Sequence, residues 1–383
     1  MKKFGRFLAV AMAATMCLCG FASCKKSGEK AYRIGMSGPL TGGAALYGQA
    51  VKNAAEMAIE EINAAGGLNG VKFELIALDD EHDPTKVSTN FATMMDKGIH
   101  VSLGCVTTKP ALEFKELAKE ENLFFLTPSA SGDAVPDGKN GFQMCFADSN
   151  QGKVAAVDYV NESFKGQTIG ALYRSDDDYS KGIFNKFKEN LDSSITLKAA
   201  TFTGDKPTSM ESQVSQLKDC KFIFLPIYYD PAILFMTQAK GQVADDAIYY
   251  GCDGLDGIDS VVGFDIKTVP QEVSMLSHFN SKATEGKAKE FIDKYTAKFG
   301  KETLNQFGAS AYDCVYAIYN AMKAAGDRIN VDMSASDICK VLSAEFTGDF
   351  TFSGVTGTNI KWNSQGFVEK QAVRYTIKQA DKK

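Results

Sequence analysis

Two adjacent threonines stand between an apolar segment and an amphipathic pattern in LGCVTTKPALE, residues 103–113. A helix start usually needs one capping hydroxyl, whereas the free backbone N–H groups of its first turn attract anions. Thr107 and Thr108 are therefore consistent with two interpretations. They form either an ordinary helix cap, with Pro110 in the first turn, or part of a site for a negatively charged group.

Polar side chains also follow the other apolar segments that are typical of strands. Ser129 and Ser131 come after LFFLT, Tyr179 lies in RSDDDYSKG, Tyr228 in LPIYYDP, and Asp253 in YGCDGLDG. Alone, each is typical of an ordinary turn or cap. In a parallel sheet, however, ligands collect at the carboxyl ends of strands, where all of these residues stand. Hydroxyls and helix N-termini on one side, with a carboxylate and phenols on the other, would suit a zwitterion.

The elements that must position these residues are predicted by the apolar spacing. Strand and helix patterns alternate from residue 31 onward, and the alternation restarts near Asp148. Helical patterns follow at about 284–299, 306–325 and 334–344, and the strand patterns NIKWNSQGF and AVRYTI come last. Two series of alternating strands and helices predict an α/β fold with two doubly wound, mostly parallel sheets.

The N-terminal segment has the pattern of a lipoprotein signal peptide. Three basic residues precede an apolar run over residues 7–21, and small residues stand directly before Cys24. A membrane-spanning anchor is disfavoured, because about 15 apolar residues are short for a span of roughly 20. We expect residues 1–23 to be removed, Cys24 to be lipidated, and residues 24–30 to tether an extracytoplasmic protein to the cell envelope.

Composition excludes several classes of function. Residues 24–383 carry 39 basic and 47 acidic side chains, a net charge of −8, with no basic cluster that would suit nucleic acid. Most of the six cysteines after Cys24 lie in apolar contexts, where a cysteine is usually a small hydrophobic residue, so we expect few or no disulfides. The three histidines lack metal-ligand spacing, and the common nucleotide-binding and hydrolase motifs are absent. We therefore predict no metal site, no cofactor and no catalytic residue.

Six segments together resemble one known family. MSGPLTGGAALYGQ, EINAAGGLNG, DDEHDP, LTPSAS, DSNQG and GCDG stand in the order and spacing of the leucine/isoleucine/valine-binding proteins, the type I periplasmic binding proteins that serve ABC importers. The resemblance runs from about Ala31 to Lys378. It implies two lobes joined by three hinge crossings, near residues 147–150, 276–280 and 366–369.

The resemblance also implies how the polar groups would hold an amino acid. Thr108 would bind the ligand carboxylate through its hydroxyl and its backbone N–H. Ser129 and Ser131 would contribute a main-chain carbonyl and a hydroxyl to the α-carboxylate and α-ammonium groups. Asp253 would be the acidic partner of the ammonium.

Four aromatic residues complete the expected site. Tyr179 and Tyr228 match the phenols that close over the ligand from the second lobe, and Tyr47 and Phe307 match aromatic walls for the ligand side chain. The disulfide that some relatives form is impossible here, because the facing positions are His82 and Thr107. Gln143 stands at a position where an arginine is common in the family.

These implications define the expected organisation. The boundaries would be 31–148 with 279–366 for lobe 1, and 149–278 with 367–383 for lobe 2. The expected function is a monomeric, lipid-anchored receptor that delivers a small aliphatic L-amino acid, such as a branched-chain one, to permease subunits of an ABC importer. Two alternatives stay open: a sensory or surface lipoprotein for an amide, urea or a small organic acid, and an α/β enzyme.

Overall fold

The structure, a computed structural model, describes residues 30–381. The predicted signal peptide, Cys24 and most of the predicted tether lie outside the described residues. The strands are β1 (Ala31–Gly38), β2 (Lys72–Asp79), β3 (Val101–Cys105), β4 (Phe125–Thr127), β5 (Gly141–Gln143), β6 (Thr168–Arg174), β7 (Thr196–Phe202), β8 (Phe222–Leu225), β9 (Ile248–Gly251), β10 (Glu272–Ser277) and β11 (Val373–Lys378).

Helices follow most of the strands. They are α1 (Ala45–Ala64), α2 (Val87–Asp96), α3 (Thr108–Glu120), α4 (Asp148–Val154), α5 (Asn161–Ser163), α6 (Asp178–Glu189), α7 (Glu211–Leu217), α8 (Tyr229–Ala239), α9 (Gly286–Phe299), α10 (Gln306–Ala325) and α11 (Ala335–Phe346). A π-helical segment, Ala155–Val160, joins α4 to α5. Short 3₁₀ turns cover Pro84–Lys86, Asp253–Leu255, Ile258–Ser260, Ile266–Thr268 and Gly326–Arg328.

The first sheet has the order β2-β1-β3-β4-β5, and every neighbouring pair is parallel. Apolar side chains on its central strands β3 and β4 are fully buried, because helices cover both faces. The strand order places the carboxyl ends of β1, β3 and β4 side by side.

The second sheet has the order β11-β10-β9-β8-β6-β7. Its pairs are parallel, except that β11 runs antiparallel to β10 at one edge. The carboxyl ends of β6, β8 and β9 therefore lie at one edge of this sheet.

The chain passes between the two sheets three times. It leaves the first sheet after β5, returns after β10 to helices α9–α11, and reaches the second sheet again at β11. Helix α10 packs on α1 and on the first sheet, which assigns this helical group to the first lobe. The predicted fold, two doubly wound parallel-sheet lobes joined by three crossings, is confirmed.

Acidic residues at strand and helix ends hold loops together. Asp79 accepts hydrogen bonds from the Leu40 N–H and the Thr41 hydroxyl, at 2.9 and 2.6 Å. Asp177 caps α6 by accepting from the Ser180 N–H at 3.0 Å. Both carboxylates therefore have a structural role, in a loop and in a helix cap.

One strand predicted from the sequence is wrong. NIKWNSQGF forms no extended strand, since only the single bridges Phe352–Ile360 and Trp362–Val368 are made there. The reason is a tight turn in which the Asn363 side chain accepts hydrogen bonds from two following N–H groups.

The six cysteines are free and buried: Cys105, Cys145, Cys220, Cys252, Cys314 and Cys339. Between residues 30 and 381, no helix combines the length and apolar character needed to cross a membrane.

Candidate functional site

All eight predicted ligand-binding residues line one small cavity between the ends of the two sheets. The cavity lining comprises Tyr47, Val106, Thr107, Thr108, Ser129, Ser131, Tyr179, Tyr228, Asp253, Gly254 and Phe307. Its volume is about 10 Å³, roughly the space that one water needs. An amino acid can therefore enter only if the two lobes, or the side chains between them, move apart.

The two threonines of the opening motif have different partners. Thr107 is the N-cap residue of α3, yet its side chain makes no capping hydrogen bond. Its hydroxyl lies 2.8 Å from Nδ1 of His82 instead. The Thr108 hydroxyl accepts a hydrogen bond from the Gly132 N–H at 3.1 Å, which leaves its proton free to be donated. The simple capping interpretation is wrong for these side chains.

The loop after β4 presents Ser129 and Ser131 beside the start of α3. The Ser129 hydroxyl donates to the Val106 carbonyl at 2.7 Å, so it fastens the loop to the end of β3. Gln143 holds the same loop from behind, because its amide donates to the carbonyls of Ala130 and Gly132 at 2.8 and 3.0 Å. These hydrogen bonds hold the loop in place beside the start of α3.

Asp253 forms the acidic side of the cavity, in the turn after β9. Its carboxylate accepts a hydrogen bond from the Tyr179 hydroxyl at 2.7 Å, and the same phenol oxygen accepts from the Gly254 N–H at 2.9 Å. Burial raises the pKa of Asp253 to about 6, although the bond from Tyr179 acts in the opposite direction. No cation pairs with Asp253 in the described part of the chain, so this carboxylate suits the positive group of a ligand.

Aromatic rings form the remaining wall. Tyr47 packs edge-on against Phe307, with ring centroids 4.9 Å apart, and Tyr179 stacks on Tyr228 at 4.7 Å. Burial raises the pKa values of three phenols well above the ordinary value of a tyrosine, so these phenols stay neutral; they belong to Tyr47, Tyr179 and Tyr228. Such a wall favours an apolar ligand side chain.

A wider cavity of about 600 Å³ adjoins this site at the mouth of the cleft. His82 and Tyr228 both line it, with ring centroids 5.1 Å apart, and Tyr228 also lines the inner cavity. His82 also reaches across to the second lobe, where its Nε2 lies 3.6 Å from Asp205. Burial lowers the pKa of His82 to about 4, so the ring is neutral at neutral pH.

Gln151 and Asp148 support the site, although the site prediction did not include them. The Gln151 side-chain carbonyl accepts from the Asp253 N–H at 3.0 Å, and its amide lies 3.5 Å from the Asp148 carboxylate. Both residues belong to DSNQG, which lies at the first predicted crossing between the lobes. That position is the sequence feature that could have identified them. Among residues 30–381, no group of three or more His, Cys, Asp or Glu side chains could hold a metal ion.

Comparison with known proteins identifies the family. The family model described as periplasmic binding protein matches residues 31–379. A leucine-, isoleucine-, valine-, threonine- and alanine-binding protein of Pseudomonas aeruginosa is 28% identical over 324 residues, which cover 82% of this chain and 83% of that protein. A Leu/Ile/Val-binding protein of Rhizobium johnstonii is 27% identical over 308 residues, covering 79% and 82%.

Among solved structures, the isoleucine complex of the branched-chain amino acid transporter substrate binding protein LivJ from Streptococcus pneumoniae is similar. It superimposes with a TM-score of 0.77 at 27% identity and covers 91% of this chain and 96% of its own. The match to the family model includes both sheets and every residue around the small cavity. The chain therefore belongs to the periplasmic binding protein family, as the resemblance to the leucine/isoleucine/valine-binding proteins predicts.

Proposed function

We propose that this protein binds one small aliphatic L-amino acid, such as a branched-chain one, between its lobes and delivers it to an ABC importer. The observation that carries the proposal is the arrangement around the inner cavity. Donors at the start of α3 and in the Ser129–Ser131 loop face the unpaired carboxylate of Asp253, with aromatic rings between them. An α-amino acid has the matching carboxylate, ammonium and apolar side chain.

The organisation proposed from the sequence agrees with this function. Lobe 1 would be residues 31–148 with 279–366, and lobe 2 residues 149–278 with 367–383. The three crossings between them would be the hinges, and ligand contacts that form only in the closed state would favour closure. The relatives that bind leucine, isoleucine and valine support the ligand class.

The cellular setting follows from the same proposal. The protein would be extracytoplasmic, anchored through lipid on Cys24, and monomeric, and it would bind rather than convert its ligand. Its partners would be the permease subunits of the importer. Replacing Cys24 with Ala tests the anchor, because the variant should leave the membrane fraction or retain residues 1–23; a processed variant that stays in the membrane fraction would contradict it.

A thermal-shift screen of amino acids, amides and small organic acids tests the ligand class. A ligand that binds only the folded state stabilises it by about 2.7 kcal/mol at a hundredfold excess over Kd. We expect leucine, isoleucine or valine to raise Tm in the wild type and in Asp259→Asn, an exposed carboxylate near the site. If an amide or organic acid raised Tm and no α-amino acid did, the proposal would be wrong.

A further inference from the structure

The ammonium side of the cleft contains a second buried carboxyl group, that of Asp148. This residue begins α4 directly after the first crossing and is only 1% exposed. Its backbone N–H donates to the Ser131 carbonyl at 2.9 Å. This bond ties the start of α4 to the loop that carries Ser129 and Ser131.

One oxygen of this carboxyl group has no partner. Oδ2 of Asp148 is buried and makes no hydrogen bond within residues 30–381. It faces the first turns of α6, where a Cβ on Gly182 would lie 3.7 Å away. A buried ionised oxygen without a donor costs free energy, so the group must be neutral or must be compensated by a cation.

The titratable groups around Asp148 are almost all acidic or neutral. Asp253 and Cys252 face it from the turn after β9, Asp177 and Tyr179 from the start of α6, Asp133 from the loop after β4, Cys145 from the segment before α4, and Tyr228 from the start of α8. The buried cation Lys370 donates to the Thr356 hydroxyl at 2.6 Å, and its charge interacts most strongly with Asp313. Within residues 30–381, no Lys, Arg or His side chain forms an ion pair with Asp148 or Asp253.

Gln151 links the Asp148 carboxyl group to the backbone of Asp253. Its amide approaches Oδ1 of Asp148 and its carbonyl accepts from the backbone N–H of Asp253. Burial and the nearby Asp253 raise the pKa of Asp148 well above its ordinary value. Two buried carboxyl groups whose negative charges repel each other disfavour joint ionisation unless a positive group is present, and such pairs titrate as a unit.

We propose that Asp148 acts through Asp253 as a second carboxyl group of the ammonium site: the two hold one proton between them in the unliganded protein, and the ligand ammonium takes its place. The O–H bond of the shared carboxylic acid breaks, the proton passes to a buffer base, and the ligand's positive charge compensates the ionised pair. This inference rests on the proposed amino-acid-binding function. It makes Asp148 a positioning residue for the charge of Asp253.

Titration calorimetry of leucine, isoleucine or valine at pH 6.5, in buffers with different ionisation enthalpies, measures the proton release. We expect between about 0.3 and 1 proton released per ligand bound by the wild type, since the pair titrates across this range. Asp148→Asn, which keeps the shape but removes the charge, should bind the ligand and release less than half as many protons. Asp133→Asn, an exposed carboxylate that also faces Asp148, should release as many as the wild type.

The outcomes separate the inference from the function on which it rests. If no amino acid binds the wild type, the proposed function fails. If one binds with less than about 0.1 proton released, the inference fails and the function stands. If Asp148→Asn does not fold, the proton release that the buffer series measures for the wild type still tests the inference. Equal proton release in the wild type and a folded Asp148→Asn would also overturn the inference.

Discussion

The hydroxyl of Tyr47 donates a 2.6 Å hydrogen bond to the carbonyl oxygen of Gly254. Tyr47 belongs to α1, which packs on the first sheet, and Gly254 follows β9 of the second sheet. The bond therefore fastens one lobe to the other directly beside the inner cavity. The Tyr229 N–H also approaches the Tyr47 oxygen from the second lobe, at 3.4 Å.

Replacing Tyr47 with Phe should destabilise the closed form, because it removes this hydroxyl and keeps the ring. One neutral hydrogen bond contributes about 0.5–1.5 kcal/mol, so Kd should rise roughly 2- to 13-fold, mainly through faster dissociation. Stopped-flow binding measures this. Tyr312→Phe is the control, since it removes a hydroxyl bonded to Glu61 away from the cleft and should leave Kd unchanged. Unchanged dissociation in Tyr47→Phe would show that the bond does not hold the lobes closed.

Thr108→Val should weaken both binding and folding. The hydroxyl accepts from the buried Gly132 N–H. Valine would leave this group unsatisfied, at a cost of about 1–3 kcal/mol in the free energy of unfolding. Loss of the donor to the ligand carboxylate should add a 10- to 150-fold rise in Kd, from about 1.5–3 kcal/mol for a charge-assisted bond. Thr108→Ser should restore both quantities. A valine variant with normal affinity would exclude a ligand contact for this hydroxyl.

Asp253→Ala should reduce ligand affinity strongly, whereas the free energy of unfolding without ligand should fall only by the loss of the hydrogen bond from Tyr179. Removing one side of a buried charge pair costs roughly 3–5 kcal/mol, whereas a carboxylate that is buried without a cation contributes little to folding. Asp253→Asn should lose less affinity than the alanine variant because it keeps the shape. Asp259→Asn, on the same segment but exposed, is the control. Calorimetry beside a melting curve measures both effects, and near wild-type affinity in Asp253→Ala would mean that Asp253 only shapes the turn.

Ligand affinity should fall as the pH is lowered. Burial gives Asp253 a pKa of about 6 in the unliganded protein, and pairing with an ammonium would lower it. The association constant should therefore fall about tenfold between pH 7 and pH 5. A constant affinity over this range would contradict an ionised Asp253 as the ammonium partner.

The stability of the unliganded protein should respond to pH in the opposite direction. Because the folded-state pKa of Asp253 is raised above its unfolded value, its contribution to stability is fully present below about pH 4 and is lost as the pH rises through 6. Asp253→Asn should remove this part of the pH dependence. Melting curves of both proteins between pH 4 and pH 7 measure the difference, and identical pH profiles would show that Asp253 does not titrate in this range.

The sequence predicted the fold and the residues that line the inner cavity better than it predicted the residues that hold them in place. Thr108 and Ser131 follow strands of the first sheet, so the rule for parallel sheets brings these two together, and it places Asp253 at the corresponding end of the second sheet. The link from Gln151 to Asp253 joins residues 102 positions apart through one side chain, and no local pattern indicates it. Strand β7 is largely exposed, so it lacks the apolar alternation that marks the other strands.

Recognition of both charged groups of an amino acid is tested most directly by titration calorimetry that compares L-leucine with two analogues, each lacking one of the charged groups. 4-Methylpentanoate keeps the carboxylate and the side chain, and 3-methylbutylamine keeps the ammonium and the side chain. The expected result is binding of leucine and a loss of roughly 10²- to 10³-fold or more for each analogue, since either one leaves a buried polar side of the cavity unpaired. If 4-methylpentanoate bound as tightly as leucine, Asp253 would not recognise an ammonium group, and the cleft would belong to a receptor for organic acids.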